Sequence, residues 1–164
     1  MALERDRGRL NEAIALLNKY LEANQQDTDA WLELTDIYLS RQNYEKALFC
    51  YEEILSTQPN NYLVNIRYAE MLYSTANAGD NLDNLYLARK YFSHALTLIQ
   101  CGGKTAPGLP RALLGLLQTC RSIDAQNKKE DEKNTLMIRT CKDRLREVYS
   151  KAATIKVEAM KIMN

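Results

Sequence analysis

The side chains able to do covalent or acid–base chemistry are few and scattered. His94 is the only histidine, and it sits in Tyr91-Phe92-Ser93-His94-Ala95, a stretch that reads as part of a helix. The four cysteines, Cys50, Cys101, Cys120 and Cys141, form no Cys-x-x-Cys pair. A zinc site gathers four ligands closely, so no metal is expected, and the thiols read as reduced, small core hydrophobes. Gly102-Gly103-Lys104-Thr105 resembles the end of a phosphate loop but lacks the earlier spaced glycine and a strand leading into it. A flexible connection is expected there. The ten tyrosines fall mostly at helical stripe spacing, which suits core packing better than base stacking. A nucleophile, base or metal in a shaped site is what an enzyme needs. None is in view, so neither catalysis nor a cofactor is expected.

The remaining function classes narrow from composition. The 164 residues are one domain's worth, with 46% hydrophobic and 26% charged residues. Lys and Arg number 22 against 21 Asp and Glu, a net charge of +1 that gives no electrostatic reason to expect nucleic acid. Glu4, Arg5, Asp6, Arg7 and Arg9 open the chain with no apolar run behind them, so no signal peptide is expected. No stretch approaches the roughly 18 uncharged apolar residues of a membrane span. With three prolines and six glycines, long helices meet few interior breakers.

What organises the chain is a 34-residue period. Ala13, Leu17 and Tyr20 recur as Ala47, Tyr51 and Ile54. The second set lies in a fuller pattern: Trp31-x2-Leu34-Thr35-x2-Tyr38, then Ala47-x3-Tyr51, then Pro59. This matches the tetratricopeptide signature, with Thr35 in place of the usual Gly and Tyr51 in place of Phe. Trp31, Leu34 and Tyr38 make one helical stripe, and Ala47, Tyr51 and Ile54 the matching stripe on the next helix. A small residue at Ala47 lets the two helices approach closely. Asn43 suits an N-cap, and Pro59 prevents the second helix from continuing.

A third unit carries Tyr68-Ala69 and Leu72, then Ala88, Phe92 and Ala95. Its seven extra residues are expected in a loop within the polar run Thr75–Asn84. A degenerate fourth unit opens at Pro110 and runs to about Ser122, with Leu114-Gly115 in the Leu-Gly slot. Its second helix is expected to be displaced by the charge-rich Asp124–Asn134. From about Thr135 to Ile162, apolar residues at 138, 141, 145, 148, 152, 155, 159 and 162 keep a heptad rhythm. That helix either caps the open end of the solenoid or serves as a coiled-coil partner. A split is expected, with packing within the chain through about Tyr149. Net charge from Asn134 onward is +4, read as a solvated face.

The expected architecture is all-α: a tetratricopeptide solenoid with a long C-terminal capping helix, as a single domain over 1–164. It divides into a part-repeat 9–26, a repeat 28–59, a repeat with insertion 62–100, a degenerate repeat 110–133 and the terminal helix 135–162. The repeat core is expected at Trp31, Leu34, Tyr38, Ala47, Tyr51, Pro59, Ala88, Phe92 and Ala95. Only eight residues precede the part-repeat, too few for its first helix. The stripe Leu10, Ala13, Ile14, Leu17 and Leu21 would then be partly bare, and the natural chain is expected to extend further N-terminally.

The concave, partner-binding face is expected at Asp29, Leu32, Asp36 and Leu39 of one repeat and Leu63, Ile66, Glu70 and Tyr73 of the next. Ser40 and Ser74 lie beside them. An apolar groove with an acidic edge suits a partner segment carrying basic residues. The alternative, a co-chaperone-type adaptor gripping an acidic terminal peptide, meets repulsion from those carboxylates.

Beyond the generic repeat, several runs resemble the family of subunit 2 of the endoplasmic reticulum membrane protein complex. They are Asp29-Ala30-Trp31-Leu32-Glu33-Leu34, Ala47-Leu48-Phe49-Cys50-Tyr51-Glu52-Glu53 and Arg67-Tyr68-Ala69-Glu70. Ala88-Arg89-Lys90-Tyr91-Phe92-Ser93-His94-Ala95-Leu96 and Arg111-Ala112-Leu113-Leu114-Gly115-Leu116 extend the likeness, which covers residues from about 10 to 150. The resemblance implies a non-catalytic scaffold on the cytosolic face of the endoplasmic reticulum membrane, without a span of its own. It would organise an insertase for tail-anchored and multi-pass clients, holding subunit 8 or 9 and cytosolic parts of membrane subunits. No catalytic residues carry over.

Overall fold

The computed structural model describes the backbone of residues 2–79, 81–102, 107–127 and 132–162, and the side chains of 9–76, 81–102, 107–127 and 132–150. Among the described residues every regular element is helical. The order is α1 (Ala2–Ala23), α2 (Thr28–Ser40), α3 (Tyr44–Thr57), α4 (Tyr62–Gly79), α5 (Leu82–Cys101), α6 (Leu109–Asn127) and α7 (Glu132–Ile162). Each helix packs on its successor, and α4 also touches α6. The chain is a tetratricopeptide helical solenoid.

The 34-residue period is written into the helix starts. Asp27 caps α2, its carboxylate accepting from the N–H groups of Asp29 (3.1 Å) and Ala30 (3.2 Å). Asn61, 34 residues later, accepts in the same way from Leu63 (3.2 Å) and Val64 (3.4 Å) and opens α4. Asn43 caps α3 through the Lys46 N–H at 3.3 Å, and Asn81 caps α5 through Asp83 and Asn84. Each cap satisfies donors that a helix start leaves without intrahelical partners.

Trp31, Leu34, Tyr38, Ala47, Tyr51, Ala88, Phe92 and Ala95 are all buried. Ala47 is fully enclosed, so α2 and α3 meet where a larger side chain would hold them apart. Pro59 does not share this environment. It is exposed in the turn after α3, where it stops the helix, and its carbonyl accepts from the buried Asn65 side chain at 3.0 Å. Asn65 stands where the previous repeat has Trp31, so the slot holds an amide that ties the turn down instead of an aromatic plug.

Three other expectations are corrected. The part-repeat helix runs from Ala2 to Ala23 rather than over 9–26. Within it Tyr20 does not repeat the role of Ile54: it is 47% exposed, and its hydroxyl donates to Asp27 at 2.9 Å. Leu21 is the buried residue of that turn. Within the insertion at 75–84, residues 75–79 and 82–84 are helical rather than loop. The insertion lengthens α4 to 18 residues and α5 to 20, against 13 and 14 in the preceding pair. The added turns are held by a small satellite core of Ala76, Leu85 and Ile123, all fully buried. In the fourth unit α6 continues past Ser122 to Asn127, and α7 itself, beginning at Glu132, packs against it as the second helix. Leu114 is 41% exposed, while Leu113 and Leu116 fill the core on either side. Gly115 faces the ring of Phe92 so closely that a Cβ would overlap it.

The proximal part of α7 packs within the chain: Cys141 and Leu145 are buried, with Met137 and Ile138 against the same core. Ala152, Ile155, Ala159 and Ile162 lie outside the described side chains. Fixing the start of α7 is a polar network. The side chain of Asn134, fully buried, accepts from Arg89 of α5 and donates to Asp124 of α6 at 2.8 Å. Arg89 stacks over the Tyr86 ring at 5.0 Å, and the Tyr86 hydroxyl accepts from Asn127 at 2.7 Å.

Candidate protein-binding surface

The α2 stripe expected to face a partner is open. Asp29 and Asp36 are exposed, and Leu32 and Leu39 are half-buried against the core. Trp31, Leu34 and Tyr38 occupy the opposite side of the same helix, which packs inward, so the stripe points away from α3.

The α4 stripe is different. Leu63 is 47% exposed, but Ile66 is buried, because the chain at Gly108 passes over it: a Cβ on Gly108 would lie 3.0 Å from Ile66 Cδ1. Ile66 therefore belongs to the core and offers no surface to a partner. Glu70 is held by Arg111 of α6, the guanidinium donating through Nε and Nη2 to both carboxylate oxygens. The pair keeps the Arg111 guanidinium charged to even higher pH than usual, through that hydrogen bond above all. Tyr73 lies 3.4 Å from the Ser122 hydroxyl, again on α6. The two halves of the expected face thus part company: α2 presents its four residues, while α6 covers most of those on α4.

Four charges act on the buried Tyr51. Its hydroxyl is pushed to a higher pKa mainly by burial, with Asp36 and Glu70 adding to the rise and Arg67 and Arg111 opposing it. These groups come from α2, α4 and α6, so the phenol that replaces the usual Phe lies beneath the charged concave side.

The sequence reading overlooked a second accessible feature. A notch of about 340 Å³ opens between α1 and α3, floored by Trp31, Leu34, Tyr38 and Cys50 and edged by Asn18, Glu45, Lys46 and Phe49. Phe49 is 54% exposed and meets the Trp31 ring edge-on at 6.1 Å between centroids. The exposed aromatic one position before Cys50 was the available signal, hidden because the period directs attention to residues 47, 51 and 54.

The residues with chemical potential stay apart. His94 is exposed on α5. Cys50, Cys120 and Cys141 are buried and Cys101 is exposed. Burial pushes the Cys50 thiol up to about 11, and it raises Cys141 as well. Such thiols stay protonated and are poor nucleophiles. Among the described residues no three His, Cys, Asp or Glu side chains come together as a metal site. No helix among them is long and apolar enough to cross a membrane.

Comparison with known proteins converges on one family. Residues 1–79 match the EMC2 TPR-like repeat domain. ER membrane protein complex subunit 2-A of Xenopus laevis is 43% identical over 98 residues, 60% of this chain and 32% of that protein. Subunit 2 of Dictyostelium discoideum is 41% identical over 98 residues, again 60% of this chain and 29% of that protein. The matched segment thus spans about a third of the length of these relatives. Among solved structures, MamA MSR-1 C2 shares the fold, with a TM-score of 0.52 and 16% identity over 85% of this chain and 71% of that one. Over residues 1–79 the chain is similar to the EMC2 TPR-like repeat domain, and 98 of its residues align with ER membrane protein complex subunit 2 proteins.

Proposed function

We propose that this chain is a non-catalytic scaffold of the ER membrane protein complex, binding other subunits through the concave stripe of α2. The observation that carries the reading is the contrast within that side: Asp29, Leu32, Asp36 and Leu39 are accessible, whereas α6 already occupies the corresponding part of α4. An apolar strip edged by carboxylates fits a helix or extended segment with basic residues beside its anchors. In this reading the chain sits peripherally on the cytosolic face of the endoplasmic reticulum. Its partners are subunit 8 or 9 and cytosolic parts of membrane-spanning subunits, and it supports insertion of tail-anchored and multi-pass proteins. Exposed Asp29 and Asp36 speak against an adaptor for acidic chaperone tails.

The test is recovery of partners with the tagged chain from detergent-solubilised cells. The expected result is co-purification of ER membrane protein complex subunits, reduced in a Leu32→Ala/Leu39→Ala variant whose melting transition is still cooperative. Recovery of cytosolic chaperones in their place would support the adaptor. Recovery unaffected by the double variant would move the interface off α2.

A further inference from the structure

Asp36 and Glu70 are the same residue of successive repeats, and only one of them is satisfied. The correspondence is secured at every level. The caps Asp27 and Asn61 and the first helical residues Thr28 and Tyr62 are each 34 residues apart. So are the buried pairs Leu34 and Tyr68, Thr35 and Ala69, and Tyr38 and Leu72. Glu70 lies against the next first helix, α6, and receives the two-pronged guanidinium of Arg111. Asp36 has no such neighbour. No Cα of α2 comes within 8 Å of one of α4, whereas α4 and α6 do approach that closely. α6 supplies Arg111 in its first turn, but α4 opens Tyr62-Leu63-Val64-Asn65, with no basic residue there. Arg67, the first cation of α4, forms no ion pair with Asp36. Among the described residues the Asp36 carboxylate makes no hydrogen bond or ion pair, and it is exposed.

We propose that Asp36 is the seat for an arginine of a docking protein segment, which completes between α2 and its partner the carboxylate–guanidinium pair that Glu70 and Arg111 make between α4 and α6. This deepens the concave-face reading and rests on it. Leu32 and Leu39 lie about one turn to either side of Asp36 and are half-buried, so the segment carries apolar residues flanking its arginine. Arginine fits better than lysine, because a planar fork satisfies both carboxylate oxygens while an ammonium meets them as a point charge. Exposed Asp29 and Glu33 on the same helix add to the negative field that draws the cation in.

The experiment uses the full chain and two fluorescein-labelled helical peptides of one design. Each has a leucine one turn to either side of a central residue, arginine in one and its uncharged isostere citrulline in the other. Anisotropy at low ionic strength should show the arginine peptide binding roughly two- to fivefold more tightly, the range for a partly exposed ion pair. Asp36→Asn should weaken the arginine peptide by that factor and erase its advantage, whereas Glu70→Gln should preserve it. Equal binding of both peptides to the parent chain overturns the arginine seat. If both are still lost in Leu32→Ala/Leu39→Ala, the groove reading survives that failure. Binding indifferent to all three α2 residues, or no binding of either peptide at millimolar concentration, overturns both.

Discussion

The α-carbon of Gly115 rests directly on the ring of Phe92, closing α6 against α5. Gly115→Ala forces a Cβ into that ring, so the helices must separate or Phe92 must leave its rotamer. The expected cost is about 1–3 kcal/mol, as for overpacking elsewhere. Chemical denaturation measures it. Phe92→Leu in the same chain should return part of the loss, and a Gly115→Ala protein as stable as its parent would place the contact elsewhere.

Trp31 is the only tryptophan, buried against Phe49, with its indole N–H donating to the Gln25 carbonyl at 2.9 Å. Trp31→Ala should cost about 3–5 kcal/mol, the range for deleting a large buried aromatic. In the parent protein its emission should be blue-shifted and move to the red in a single unfolding transition. An emission maximum already at the water-exposed position would contradict the burial.

How much of this was legible in the sequence depends on distance along the chain. The period that aligns Ala13 with Ala47 and, after seven inserted residues, Ala88 is a local pattern repeated, and it points to the helix pairs, the Asn43 cap and the core positions other than Pro59 and Tyr20. The insertion was misread because Thr75–Asn84 is polar and holds Gly79. What makes it helical is Ala76 and Leu85 meeting Ile123, a residue nearly forty positions beyond. The burial of Ile66 and the pairing of Glu70 in the α4 half of the concave face were not legible for the same reason. Nothing near Ile66 or Glu70 announces that Gly108 and Arg111 will close over them. The period assigns Tyr20 to a buried slot, yet it is 47% exposed and its hydroxyl turns to Asp27 instead.

Thiol reactivity separates the four cysteines. A disulfide-exchange reagent should titrate one thiol quickly in the native protein, Cys101, and the remaining three only on unfolding. The raised pKa of Cys50 has a stability consequence with a definite sign. An unfolded thiol ionises near pH 8.5, while the folded one holds its proton to about 11. The stabilisation is fully present below about pH 8.5 and falls as pH rises toward 11. Cys50→Ala should flatten that part of the stability profile, and an unchanged slope would assign it to other groups.

Asn134→Leu should be destabilising although it adds apolar surface to a buried position. Arg89 and Asp124 would each lose a hydrogen bond to the amide between them, at about 1 kcal/mol for each bond lost. Hydrogen exchange should show protection falling first at the start of α7 and only later in α5. A variant more stable than its parent would mean that the amide is dispensable.

The same amide gives α7 an address. Its apolar residues recur every three or four positions, so a helix slid by one heptad would meet α6 with much the same oily profile. Only one placement sets the fully buried Asn134 between a guanidinium on α5 and a carboxylate on α6; any other costs the amide both of these bonds. Sliding is thereby penalised where greasy contacts alone would tolerate it. The heading of the 31-residue helix is decided at its third residue, by side chains 45 and 10 positions upstream.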